Sequence, residues 1–358
     1  MKHALARLIL AGGVAGLPSI AALAAPEPTG DSRLQGSFFA IENDYLGRTK
    51  VHTDRWYTNG LLYARSYQRD KPPALLAAAL ELGRRQFGLL ADTEGPTTTL
   101  FFGQNIYTPS DIERVDQQVF DRPWGGWLFA GTGLSLFDGP RHRSVEVKLG
   151  VVGPASMAEQ VQRGFHKIIK DDDPAGWRNQ LRPRLGLQAS YMVTHRLTDA
   201  DLGFLPNWAG VHGHARATLG TVKTLGALGL TLVAGERDRV FGAPDEGDYL
   251  AADFSERAAS PLKLPLLGWP TTLFLQAQWS AVAYNHFVTG RTYGEPQPQI
   301  ELKRSNLMMT LGFSVQIRER YRLEYRVKRR TPEFSVPGQA RDDGYHSYGE
   351  LRLVCATN

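Results

Sequence analysis

The chain has 358 residues, 42% of them hydrophobic and 10% aromatic, with a formal net charge of +5 and a mean hydropathy of −0.29. No stretch beyond the N-terminus is long and apolar enough for a spanning helix, and a charge so near balance gives no reason to expect a nucleic-acid partner. Cys355 is the one cysteine, which excludes an internal disulfide.

Met1 to Arg7 carries Lys2 and Arg7 and no acid. An apolar run, Leu8 to Leu23, is broken by Gly12, Gly13, Gly16 and Pro18, and ends at the small-residue site Ala22-Leu23-Ala24. This is the pattern of a secretory signal peptide over residues 1–24. Its removal leaves 39 basic against 36 acidic side chains in a single domain, residues 25–358. A secreted chain rich in glycine and aromatics without disulfides fits an outer-membrane barrel or a soluble β-protein.

The first strand pattern, Leu34–Ile41, runs into Glu42-Asn43-Asp44, and a loop leads to a returning strand, Tyr57–Tyr67. This hairpin brings Asn43, Asp44 and Thr58 together at its rim. Strand patterns recur at Thr98–Tyr107, Trp124–Phe137, Arg143–Val152, Arg182–Val193, Val211–Thr221 and Leu228–Ala234. They continue at Thr271–Tyr284, Leu307–Arg318, Tyr321–Arg329 and His346–Val354, whereas 235–268 reads as a surface loop. Leu311, Phe313, Val315 and Ile317 share one face of a strand whose other face is Gly312, Ser314, Gln316 and Arg318. The next strand sets Leu323, Tyr325 and Val327 against Arg322, Glu324, Arg326 and Lys328. One apolar face and one polar face suit a sandwich, or a transmembrane barrel with the apolar face in lipid. The many runs near the ~10 residues of a tilted spanning strand favour the barrel.

Between the fifth and sixth patterns the sequence predicts a helix over Pro154–Lys170, stopped by Asp171-Asp172-Asp173-Pro174. Met157, Val161, Phe165, Ile168 and Ile169 form its apolar stripe; Gln162 and His166, four apart, share another face. This helix and the Asn43–Arg55 loop both follow odd-numbered strands, so they belong at the same end of a barrel. His166 is the candidate general base. Asp172 could orient it or bind a metal, and Asp44 with the oxygens of Asn43 and Thr58 suits calcium. A structural role for each remains open on spacing alone. His212 and His214 share a strand face and read as lumen lining, and no serine sits in a nucleophile elbow.

Glu42-Asn43-Asp44 followed by Thr53-Asp54-Arg55-Trp56-Tyr57-Thr58-Asn59-Gly60 resembles the first signature of the outer-membrane lipid A 3'-O-deacylase family. Gly150 to Ser156, Gln162-x-x-x-His166 and Gly176-Trp177-Arg178-Asn179-Gln180-Leu181 resemble the second. The resemblance implies an all-β, antiparallel transmembrane barrel of twelve strands in the bacterial outer membrane, with a short helix in an extracellular loop. It implies calcium-dependent hydrolysis of the 3'-linked acyloxyacyl ester of lipid A, within lipopolysaccharide and among outer-membrane lipids. His166, Gln162, Asn43 and Thr58 fall on the catalytic positions, and Asp44 and Asp172 on the metal positions. Alternatives are a phospholipase-like esterase and a non-catalytic channel or structural barrel. Nothing in the sequence argues for self-association, so a monomer is the default expectation.

Overall fold

The computed structural model describes residues 32–47, 56–69, 97–170, 172–197, 206, 208–237, 239–242, 262, 268–338 and 344–356. The expected signal peptide, Thr53-Asp54-Arg55 and most of 235–268 lie outside these residues.

Twelve strands close an antiparallel barrel: β1 (Ser32–Asn43), β2 (Trp56–Arg69), β3 (Thr97–Thr108), β4 (Gly125–Asp138), β5 (Arg141–Val152), β6 (Arg184–Leu197), β7 (Ala209–Gly220), β8 (Lys223–Ala234), β9 (Thr271–Asn285), β11 (Ser305–Arg318), β12 (Tyr321–Arg330) and β14 (His346–Ala356). Two short strands, β10 (Glu301–Leu302) and β13 (Phe334–Ser335), pair with each other at one end. Closure is made by β1 against β14, in register from Gly36↔Ala356 to Asn43↔Gly349. Full closure removes the unpaired edges that an open sheet would expose. No helix of the described residues is long and apolar enough to cross a membrane.

All twelve strand patterns are present. β8 starts five residues before its expected first residue, at Lys223. Leu225, Ala227 and Val233 are buried inward, while Leu228, Leu230 and Leu232 are exposed outward, so polarity does not alternate. Elsewhere alternation holds: Leu149, Leu185, Leu219 and Leu311 lie 54–67% exposed on the outer face. A row of exposed leucines is stable only with hydrocarbon against it.

The inner face is filled. On the β1–β4 side Phe38, Tyr57, Phe101, Tyr107, Trp127 and Phe129 share one cluster with Tyr348 and Phe287. On the β12–β14 side the charges pair. Glu350 takes Lys328 at 2.8 Å and Arg352 at 2.7 Å. Glu324 takes Arg322 at 3.1 Å and Arg326 at 2.9 Å, and Glu42 takes Lys328. Arg318 is different: it is exposed at the β11–β12 turn. The histidines of β7 line the lumen as expected, His214 against Gln278 at 3.1 Å and His212 against the Arg237 carbonyl at 2.8 Å.

Glu350→Ala leaves Lys328 and Arg352 buried without their shared carboxylate. It is expected to cost about 3–5 kcal/mol, measured as a lower midpoint of denaturant unfolding in detergent. With the lumen packed, the protein in planar bilayers is expected to show no steady open-channel conductance.

Candidate active site

The site is built on the outer face of the wall, at the end where β1 finishes. Phe38, Ala40 and Glu42 of β1 point inward and are buried, so the pleat turns Ile41 and Asn43 outward. On β2 the inward residues are Gly60, Leu62, Ala64 and Ser66. Register with β3 then slips: Tyr57 pairs with Tyr107 but Asn59 with Ile106, which leaves Thr58 as the extra residue of a β-bulge. The bulge lets Tyr57 turn inward onto Glu42 while Thr58 turns outward to Thr108, Oγ1 to Oγ1 at 2.6 Å. Asn43 spans the tip. Its amide Nδ2 donates to the Thr58 carbonyl at 3.0 Å and its Oδ1 accepts from the Tyr45 N–H at 2.8 Å.

Asp44 opens a 3₁₀ turn, Asp44–Gly47, that folds over the outer face of β14. The approach is close. A Cβ on Gly349 would lie 2.6 Å from Leu46, and the Tyr325 hydroxyl donates to the Leu46 carbonyl at 2.5 Å. The turn holds Asp44 at 2% exposure while Tyr45 stands 50% exposed.

The predicted helix is present in two pieces, a 3₁₀ turn Pro154–Ser156 and an α-helix α1 (Ala158–Ile169), joined at Met157 in the left-handed region with φ 58°. It seats on the outside of β3 and β4. Gly126 makes room: a Cβ there would meet the Ala158 Cβ at 2.3 Å. Gln104 of β3 donates to the Ser156 carbonyl at 2.6 Å, and Ala158 packs with Ile106, Trp124 and Trp177.

The helix turns its polar pair toward the wall. Its polar stripe is inside, with Gln162 and His166 each 3% exposed, while Met157 and Ile168 stand 53% and 37% exposed. The apolar stripe is split: Val161 packs inward against Ile106, Trp124, Ala158 and Trp177, while Ile168 faces out. The stripe was legible in the sequence; its division was not.

The segment that follows α1 folds back and fixes both polar side chains. His166 Nδ1 lies 2.5 Å from the backbone carbonyl of Asp172. A carbonyl can only accept, so Nδ1 carries the proton and Nε2 is the basic nitrogen. The orienting atom is therefore main-chain, and the Asp172 residue itself is exposed. Trp177 Nε1 donates to Gln162 Oε1 at 2.9 Å. That contact sets the amide's orientation and leaves Gln162 Nε2 buried, with no hydrogen-bond partner among the described residues. Such a donor is available to a substrate oxygen.

The two halves thus share one outer face, Asn43 and Thr58 over β1–β2 and Gln162 and His166 over β3–β4, linked through Thr58–Thr108. A model of the family described as outer membrane protein LpxR matches residues 8–356. The chain belongs to the outer membrane protein LpxR family. This is the lipid A 3'-O-deacylase family, and the protein is an outer-membrane lipid A deacylase. Among solved structures it is similar to LpxR from Salmonella typhimurium at a TM-score of 0.66 and 18% identity, covering 89% of this chain and 99% of that one. The β domain of the Bordetella autotransporter Brka aligns over 91% and 99% of the two chains at 8% identity and a TM-score of only 0.41. No curated protein matches.

Of the sequence-predicted LpxR-family positions, Asn43, Asp44, Thr58, Gln162 and His166 are all buried at this end. The donor atoms of Asp44, Asn43, Thr58 and Asp172 are oxygens only, a set that suits a hard cation. Among the described residues no three His, Cys, Asp or Glu side chains gather as a metal cage, so other ligands for such a cation would have to be neutral oxygens. Sequence reasoning missed Trp177 and Thr108. Trp177 lies within a quoted signature, but its indole contact with Gln162 spans fifteen residues of folded-back chain. Trp177→Phe keeps a ring in the cluster and deletes the donor. It is expected to lower deacylation about tenfold, as the loss of one orienting hydrogen bond does, with little further loss when added to Gln162→Ala; initial rates of the double-mutant cycle measure it.

Proposed function

We propose that the protein hydrolyses the 3'-linked acyloxyacyl ester of lipid A in a calcium-dependent reaction, with the helix-bearing end on the extracellular side. The observation that carries this reading is the burial of His166 and Gln162 between α1 and the outer face of the wall. A catalytic stripe there meets an ester carried by a neighbouring lipid, whereas a stripe turned into the lumen would not.

His166, held through Nδ1 by the Asp172 carbonyl, takes a proton from water at Nε2 as the water oxygen attacks the acyl carbonyl. The resulting oxyanion is met by the amide N–H of Gln162, whose direction Trp177 sets. His166 then returns the proton to the departing sugar oxygen. The products are the free acyloxyacyl acid and the 3'-hydroxyl. Asn43 contributes by tying the β1 tip to the bulge, which fixes where Thr58 and Asp44 stand. Asp44 and Asp172 would hold calcium, which when bound supplies positive charge opposite the developing oxyanion.

His166→Ala is expected to reduce release on the order of 10²–10⁴-fold, followed by mass spectrometry of lipid A incubated with purified protein. Unchanged release would overturn the mechanism, and equal release of fatty acid from phospholipids would favour the broader esterase. Chelation with EGTA should abolish turnover and added calcium restore it. Asp172→Asn separates the two parts of that residue: the carbonyl still orients His166, so any loss that excess calcium rescues belongs to the carboxylate. Loss without rescue would remove Asp172 from the metal site.

A further inference from the structure

We infer that the barrel lumen holds a site for a single monatomic anion, a halide, between Trp127 of β4, Arg216 of β7 and Lys223 at the start of β8. The site is on the inner face of the wall, whereas α1 holds Gln162 and His166 against the outer face.

The pleat gathers these side chains into one space. Asn105 of β3 pairs with the inward-facing Gly60, and Trp127 pairs with Asn105, so both turn into the lumen. Gln188 of β6 and Thr218 of β7 are buried on the same inner face as Arg216. Lys223 pairs with Asn285 at the end of β9. A cavity of about 20 Å³ remains among them, lined also by Tyr107 and Phe287, whose rings stack at 4.0 Å. Room for about one water-sized sphere admits a monatomic ion and excludes a tetrahedral oxyanion.

Two observations point to a ligand in this space. The first is the indole N–H of Trp127. The residue is 3% exposed, and its Nε1 has no hydrogen-bond partner among the described residues. An indole nitrogen can only donate, so whatever meets it must accept. The second is Gly186 of β6. A Cβ there would lie 2.6 Å from Trp127 Nε1 and 3.0 Å from Cγ2 of Val222, which also lines the cavity. A side chain at this position would take the place beside the indole N–H, and glycine leaves it open.

The chemistry of the lining selects an anion. Arg216 and Lys223 are cations, and no Asp or Glu lines the cavity among the described residues. The carboxylate of Glu333 reaches Lys223 at 3.6 Å, but it is shared with Arg122 at 3.2 Å and Arg330 at 2.8 Å. Asn285 Oδ1 is already taken by the Phe287 N–H at 3.0 Å. A hard cation needs a shell of oxygen ligands and would face Arg216 and Lys223 directly. Water would accept from Trp127 but bring two more protons into a lining rich in donors. A halide accepts from several N–H groups at once and carries the charge that Arg216 and Lys223 attract. The rings of Trp127, Tyr107 and Phe287 keep the surroundings apolar, which strengthens that attraction.

The test uses the full chain refolded in detergent, with bromide as the probe. Crystals grown in sodium bromide are expected to show an anomalous bromine peak in the lumen, in contact with Trp127 Nε1. The thermal unfolding midpoint should be higher in bromide or chloride than in gluconate of equal ionic strength, by mass action, and sulfate should behave as gluconate does. Trp127→Phe keeps the ring and deletes the donor. It should weaken bromide affinity at least about tenfold, read from the concentration dependence of the midpoint, and Arg216→Gln should do the same. Gly186→Ala changes no charge and should remove the peak. Heat-modifiable migration checks folding, and if Gly186→Ala fails it, Trp127→Phe and Arg216→Gln decide. A wild-type lumen without the peak, a midpoint that follows ionic strength alone, or equal stabilisation by sulfate would each overturn the inference. So would unchanged bromide affinity in Trp127→Phe and Arg216→Gln.

Discussion

The outer face of a membrane barrel lies against hydrocarbon, so a polar group placed there must be covered or paired. Everything at the site answers to that constraint. Asn43, Thr58 and Thr108 all project outward from the wall, where the pleat elsewhere puts leucine. Asn43 is committed to backbone atoms at both ends, and Thr58 and Thr108 hydrogen-bond each other. The α1 helix supplies the cover. Gln162 and His166 turn in, with Val161 packed inward beside them, while Ile168 turns out. This orientation buries His166 against the wall.

The lumen obeys the complementary rule. It is closed to hydrocarbon, and its charges are buried in pairs that lean on aromatic faces. Arg352 lies 5.0 Å from the Phe38 ring and Lys328 lies 5.4 Å from the Tyr348 ring. Removing one partner strands another, which makes this network rigid. It braces β1, β12 and β14 where the barrel closes, next to the turn that carries Asp44.

Much of this was legible beforehand because strand periodicity is local. The twelve strands, their faces and the parity that brings two loops to one end follow from residues two apart and from counting. The family signatures then marked Gln162 and His166. Less local features escaped. The bulge at Thr58 depends on β3 register, and which side of α1 meets the wall depends on the strands beneath it. Asp172 looked important for its carboxylate, yet the contact that orients His166 is its carbonyl, which every residue has. Arg318 read as a lumen charge, but it sits at the β11–β12 turn, where alternation no longer dictates direction.

The sequence alone determined an apolar outer face, a polar inner face, the order of strands and a helix carrying Gln162 and His166 four residues apart. These are short-range facts, set by pleat and helix period. The tertiary structure decided that Gln162 and His166 lie outside the wall. It also decided that Trp177 aims Gln162 and that Arg322, Arg326 and Arg352 pair with Glu324 and Glu350 in the lumen. Those outcomes depend on which distant segments closure brings together, and no local period encodes that.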